Sequence, residues 1–184
     1  SYRRIMSIFK SISHKFWLCL FYGIANHLPN SYTRVIGSPS NKFRILCCRH
    51  IFKKCGKVST INHHCNFGNG CEVEIGDYSG IGAYCTIPRD IQIGKYVMMA
   101  PNVTIFSRNH CFEDINMPMC FQGFSESKKT IIEDNVWIGQ SVILTVGHRL
   151  RSGCIVAAGA VVVKDTEKNS IVGGNPAKLI KYRV

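Results

Sequence analysis

Through the middle of the chain, every sixth residue is aliphatic. Counting from Ile75 gives Ile75, Ile81, Ile87, Ile93, Met99 and Ile105; counting from Ile132 gives Ile132, Ile138, Leu144, Leu150, Val156 and Val162. The next position is often Gly or Ala, as at Gly76, Gly82, Gly94, Ala100, Gly139 and Ala157. The fourth position after each is mostly small or β-branched, with Asn109 and His148 as exceptions. A period of six is neither helical nor simple strand alternation. It is the period of a parallel β-helix, in which each unit is one short strand and a corner, and three units close a triangular coil. The aliphatic residue is expected to point into the coil, and Gly or Ala to follow where the backbone has little room. Contacts in such a solenoid run between neighbours only, so its ends need caps.

The two frames are out of step. Ile105 and Ile132 are 27 residues apart where one step is six, and the surplus of 21 predicts a loop over residues 109–129. Its Cys111-Phe112, Met117-Pro118-Met119 and Phe121-Gln122-Gly123-Phe124 are too apolar for a free linker, so it is expected to fold over something, such as a neighbouring subunit. Upstream, Ile61 and Phe67 predict one irregular coil before a phase shift at Gly68-Asn69-Gly70. Further back, Ile5, Ile8, Phe9, Ile12 and Phe16 recur at helical spacing and predict a helix over residues 4–28, ended by Pro29-Asn30-Ser31. A second helix is expected over 42–54, ending at Gly56. The organisation expected is a helical cap over 1–57, a β-helix over 58–174 and a C-terminal cap over 175–184.

Charge changes the picture at the N-terminus. The formal net charge is +12, and residues 1–57 hold eleven Lys and Arg with no Asp or Glu, whereas twelve face eleven acids in the remainder. A basic region of this kind attracts polyanions such as an anionic membrane surface, nucleic acid or an anionic glycan. No nucleic-acid reader motif is present, so nucleic acid is not expected as a partner. The apolar run from Phe16 to Leu28 is interrupted by Gly23 and Asn26 and is shorter than the ~20 residues of a membrane span. No small-x-small cleavage site follows it. The expectation is a cytoplasmic protein whose N-terminal segment lies on the inner membrane face without crossing it. The ten cysteines include no CxxC pair and read as reduced thiols, several of them buried. His63-His64-Cys65 has no second ligand cluster at a suitable spacing, so no metal is expected.

His110 opens the long loop directly after a repeat, at the rim of a rigid scaffold. Imidazole is suited to accept a proton near neutral pH. Pro101-Asn102-Val103-Thr104-Ile105 followed by this histidine and the loop, then Asn135-Val136-Trp137-Ile138-Gly139, Gly159-Ala160-Val161-Val162-Val163-Lys164-Asp165 and Gly174-Asn175-Pro176-Ala177-Lys178, together resemble the hexapeptide-repeat acyltransferases. The resemblance covers residues 58–184 and is nearest the sugar and polysaccharide O-acetyltransferases. It implies a left-handed parallel β-helix, a homotrimer with sites between subunits, and acetyl-CoA as co-substrate. It implies His110 as general base, with an oxyanion donor among the backbone N–H groups near Gly139 and Gln140. Trp137 would line the acetyl-CoA tunnel or the acceptor pocket. Ala158 and Gly159 would let the pantetheine arm pass, and Lys164, Lys178 and Lys181 would face the CoA phosphates. Tyr84 and Asn109 would face the acceptor.

The departures from the family pattern concern the acceptor. Gly82-Ala83-Tyr84 stands where some sugar acetyltransferases carry Asn-Phe-Asn, and Val146-Gly147 replaces the usual Pro-Gly corner, with His148-Arg149 given no role by the resemblance. The leading expectation is O-acetylation of a sugar in a bacterial surface polysaccharide or its precursor. Serine, an amino sugar or an antibiotic hydroxyl are alternative acceptors, and a non-catalytic scaffold is the alternative from another class. The γ-type carbonic anhydrases share the β-helix, but Ile115 stands where their second histidine ligand falls.

Overall fold

The computed structural model describes residues 2–184, with side chains from residue 11 onward. Its body is a three-sided parallel β-helix. The first side stacks β1 (Lys54–Cys55), β3 (Glu74–Ile75), β5 (Gln92–Ile93), β8 (Ile131–Ile132) and β11 (Arg149–Leu150). The second stacks β2 (Thr60–Ile61), β4 (Gly80–Ile81), β6 (Met98–Met99), β9 (Trp137–Ile138), β12 (Ile155–Val156) and β14 (Ser170–Gly173), and ends on β15 (Lys178–Tyr182), which turns back antiparallel. The third stacks β7 (Thr104–Ile105), β10 (Ile143–Leu144) and β13 (Val161–Val162), continued by single bridges at Thr86 and Asn66.

From β2 to β13, each two-residue strand puts one side chain inward, and that side chain is aliphatic. Ile75, Ile81, Ile87, Ile93, Met99 and Ile105 are buried, as are Ile132, Ile138, Leu144, Leu150, Val156 and Val162. Burying such a side chain is worth about 1.5–3 kcal/mol, so the column of stacked aliphatics drives the coiling. The residue after each has little room. A Cβ at Gly82 would lie 2.4 Å from Ala100 C, and one at Gly76 would lie 2.6 Å from Gly94 O.

The corners are shaped by left-handed backbone. At the corner between the second and third sides the residue at positive φ is His64, Tyr84, Asn102, Ser141 and Gly159 in successive coils. Between the first and second sides it is Tyr78, Tyr96, Asn135 and Gly153. Because rungs are in register, these residues form columns: Tyr78 stacks on Tyr96 with ring centroids 5.4 Å apart, and His64 stacks on Tyr84 at 4.9 Å.

Two helices precede the prism. α1 spans Tyr2–Gly23, where the sequence pattern continues to residue 28; the last stretch is instead a 3-10 turn at Ala25–His27. The side chains of Ile5, Ile8 and Phe9 lie outside the described residues. α2 spans Gly37–Ile51, starting earlier than expected because Pro39 sits in its first turn, where a missing N–H costs nothing. It also ends earlier, because Lys54–Cys55 already pairs with Glu74–Ile75 as the first rung. Arg44 on α2 is fully buried and fastens this unit to the prism. Its guanidinium donates to Ile61 O at 2.6 Å, to Leu28 O and Pro29 O at 3.1 Å, and to Ser31 Oγ at 3.0 Å. Asn26 adds a two-way bond with the Cys65 backbone.

Candidate active site

His110 follows β7, at the corner between the third and first sides, and the loop begins there. The loop crosses back over its own stem: His110 and Phe124 form an antiparallel bridge, and their rings lie 4.2 Å apart. Arg108 lies over the same phenyl ring with Cζ 4.0 Å from its centroid, a cation–π contact. Asn109 is clamped through its backbone, since its carbonyl accepts from Ser125 N at 2.8 Å and its N–H donates to Ser125 Oγ at 3.1 Å. The imidazole is exposed and lies against the Phe124 ring at an interplanar angle of 34°. Beyond the clamp, Gln122 braces the turn by donating to Asp114 O and Met117 O at 2.8 Å. The loop leaves Phe112, Ile115, Met119 and Phe121 exposed, Ile115 to 93%.

His148 occupies the corner of the next coil, in register with Asn109, because Leu144 pairs with Ile105. His148 Nε2 lies 2.8 Å from Thr145 Oγ1, which is also within hydrogen-bond distance of Val162 O at 3.1 Å. His148 Nδ1 stands 3.7 Å from Asp165 Oδ1. Arg149 reaches Glu133 at 3.0 Å. Neither residue had a role from the repeat; both tie corners of successive coils together.

The other expected residues lie elsewhere. Trp137 projects outward from β9 on the second side, half exposed, in a groove lined also by Tyr32, Asn62 and Gly82. Gly139, Gln140, Ala158 and Gly159 follow at the corner between the second and third sides, and Tyr84 belongs to the same corner column. Space there is graded. A Cβ at Gly139 would fall 2.5 Å from Ala158 N, whereas one at Gly159 would meet nothing within 4 Å, and Ala158 is exposed. The corner is therefore open to solvent at Ala158 and Gly159. Of the backbone N–H groups near Gly139 and Gln140, that of Gly139 is already engaged within the prism, donating to Val156 O at 2.8 Å. Lys164 is exposed at the third–first corner, and Lys178 and Lys181 are exposed on β15.

One prism therefore carries the expected residues on two different corners. His110, Asn109 and Lys164 share one; Gln140, Ala158, Gly159 and Tyr84 share another, with the whole third side between them.

His63-His64-Cys65 does not converge on a point. Cys65 is buried with Sγ against the carbonyls of Asn62 and Gly82, and burial pushes its thiol up to about 12, while His64 lies flat on Tyr84. Among the described residues no group of three or more His, Cys, Asp or Glu side chains could hold a metal ion.

Comparisons with known proteins bear on the family and the fold. The family described as bacterial transferase hexapeptide (six repeats) matches residues 72–107. A galactoside O-acetyltransferase of Lactococcus lactis subsp. lactis is 29% identical over 153 residues, 81% of this chain and 70% of that one. The chain spans 59% and 42% of the lengths of two putative acetyltransferases, from Saccharomyces cerevisiae and Schizosaccharomyces pombe. Among solved structures, a maltose O-acetyltransferase from Clostridium difficile 630 superposes with a TM-score of 0.71 at 26% identity, covering 95% of this chain and 88% of that one. A galactoside acetyltransferase in complex with coenzyme A superposes equally, with a TM-score of 0.71 at 25% identity, covering 94% and 80%.

Proposed function

Because this chain belongs to the hexapeptide-repeat, left-handed β-helix acyltransferases, we propose that it transfers acetyl from acetyl-CoA to a sugar hydroxyl, in a cleft between two copies of itself. The observation that carries this is the split of the candidate residues between two corners of one prism. A base at the third–first corner and an arm-sized gap at the second–third corner cannot serve one reaction within one copy. In a closed ring of three copies, each copy presents one corner to one neighbour and the other corner to the next. The exposed apolar loop is the natural seal for such a cleft.

The imidazole of His110, steadied by Phe124, takes the proton of the acceptor hydroxyl as its oxygen attacks the thioester carbonyl. The tetrahedral oxyanion is met by the Gln140 N–H from the adjoining copy. When the intermediate collapses, the C–S bond breaks and the imidazolium returns its proton to the departing thiolate. No acyl-enzyme forms. A held base contributes about 10²–10⁴-fold, and removing one oxyanion donor costs about 10²–10³-fold. Ala158 and Gly159 admit the pantetheine arm, while Lys164, Lys178 and Lys181 supply point charges to the CoA phosphates. Tyr84 and Asn109 face the acceptor, and Trp137 lines the acetyl-CoA tunnel or the acceptor pocket.

The acceptor is a sugar of a bacterial surface polysaccharide or its precursor, and the enzyme works in the cytoplasm against the inner leaflet. The galactoside and maltose enzymes above support the sugar; the basic N-terminal unit supports an anionic setting. CoA release measured across a panel of glycans and nucleotide sugars tests the reading. It predicts turnover on a saccharide that His110→Ala abolishes; turnover of antibiotics or serine alone would contradict it.

A further inference from the structure

We propose that the outward face of α1 is a docking surface for an anionic phospholipid bilayer. α1 packs inward through Leu18, Phe21 and Tyr22: Phe21 meets Phe67 at 4.7 Å, and Tyr22 donates to Gly68 O at 3.0 Å. Trp17 lies flat on His50 of α2 at 4.1 Å. At 100° per residue this inward face leaves positions 12, 16 and 19 pointing away. Ile12 and Phe16 are each 59% exposed, and Cys19 is exposed beside them. A helix resting on a globular body ordinarily carries polar residues there. Here the described residues carry Ile12 and Phe16 instead.

Charge identifies the occupant. Lys15 is exposed on the flank of the row, and it opens onto a groove of about 820 Å³ lined also by His14, Arg49, His50 and Lys53. The acid at its far side, Glu72, is already paired with Lys53 at 3.0 Å. Residues 1–57 contain no Asp or Glu against their eleven Lys and Arg. A second copy of this chain on the same face would bring two cationic surfaces together, and nucleic acid would have no use for Ile12 and Phe16. A lipid bilayer with anionic headgroups meets both features, with the apolar row at the acyl boundary and phosphates beside the cations. No helix among the described residues is long and apolar enough to cross a membrane, and the proposed docking lays α1 along the surface. The docking takes its purpose from the proposed membrane-side acceptor, but its observations are independent of the acetyl-transfer chemistry.

The test is co-sedimentation of the full chain with phosphatidylcholine vesicles, with and without phosphatidylglycerol. Binding is expected only with the anionic lipid, and it should weaken as salt rises. The double substitution Ile12→Asn, Phe16→Asn should weaken it about tenfold or more, and Lys15→Glu by about fivefold or more. CoA release with a water-soluble acceptor should stay at the wild-type rate in all three proteins. Equal recovery with both kinds of vesicle, or none with either, overturns the proposal. So does a change of oligomeric state in the double variant, measured by sedimentation velocity, since another copy would then be covering the face. Vesicle binding without turnover would leave the docking standing and remove the acceptor reading.

Discussion

The ring of Phe124 lies 4.2 Å from that of His110, and the two residues are also bridged through their backbones. A single residue thus fixes both the chain direction and the ring position of the proposed base. Ile105 still pairs with Leu144 although the whole loop separates them, so the loop is an insertion that leaves the rungs in register. Truncating Phe124 should therefore disturb His110 without disturbing the prism. Phe124→Ala is expected to lower kcat about tenfold with the KM for acetyl-CoA little changed, well short of the 10²–10⁴-fold loss assigned to His110→Ala. Steady-state CoA release and an unchanged melting temperature check it; a rise in KM alone would place Phe124 in binding instead.

Ala158 is exposed at the corner proposed for the pantetheine arm, so a large side chain there should block the arm and spare the fold. Ala158→Trp is expected to raise the KM for acetyl-CoA at least about tenfold with thermal stability near wild type. Gly139→Ala should do the reverse first. Its Cβ would press on Ala158 N at 2.5 Å, and overpacking of this kind costs about 1–3 kcal/mol. Thermal unfolding of the two variants side by side separates blockage from strain.

Glu133 accepts from Ser152 N at 2.8 Å, Ser152 Oγ at 2.9 Å and Arg149 Nη1 at 3.0 Å. The Ser152 backbone N–H is the largest of the causes that hold its carboxyl below the usual range. A lowered carboxyl means the unfolded chain binds the proton more readily. The stabilisation is therefore complete above the ordinary carboxylate pKa and is lost as pH falls through the folded value. Glu133→Gln should cost on the order of 1 kcal/mol at pH 7, a modest figure because the pair is partly solvated. Urea unfolding should show wild type and variant converging as the pH is lowered; a constant gap would contradict the linkage.

Burial pushes the thiols of Cys47, Cys55 and Cys85 up to about 11 and that of Cys65 to about 12. These are not thiolates at neutral pH, and the thiolate is the reactive form. Exposed Cys19, Cys71 and Cys120 should label with a maleimide at pH 7.5 in the native protein. Cys47, Cys48, Cys65, Cys85 and Cys154 should label only after unfolding, as peptide mass mapping would report.

The prism was legible in the sequence because each coil makes the same demand on its inward position, from Ile75 to Val162. The corners were less so. Non-glycine residues at positive φ, such as Tyr78, Tyr84 and Tyr96, follow no simple residue rule, and their columns emerge only once the rungs are stacked. The apolar row of α1 was visible too, but not its direction. Trp17, Leu18 and Phe21 form a competing face, and packing against Phe67 and His50 decides between them. Arg44 gave no signal, since its partners are carbonyls contributed by distant segments. For the candidate site, the sequence named residues without saying that they occupy two corners.

That separation is the claim most open to direct measurement. His110→Ala removes the base from one corner, and Ala158→Trp blocks the arm at the other, so each protein alone should be nearly inactive. Unfolding the two together in equal amounts and refolding them gives mixed assemblies. If each site draws its base from one copy and its gap from the next, about a quarter of the sites contain two intact corners, and CoA release should recover to about a quarter of the wild-type rate. If one copy supplies both corners, every site in the mixture is defective, and the absence of any recovery would contradict the account.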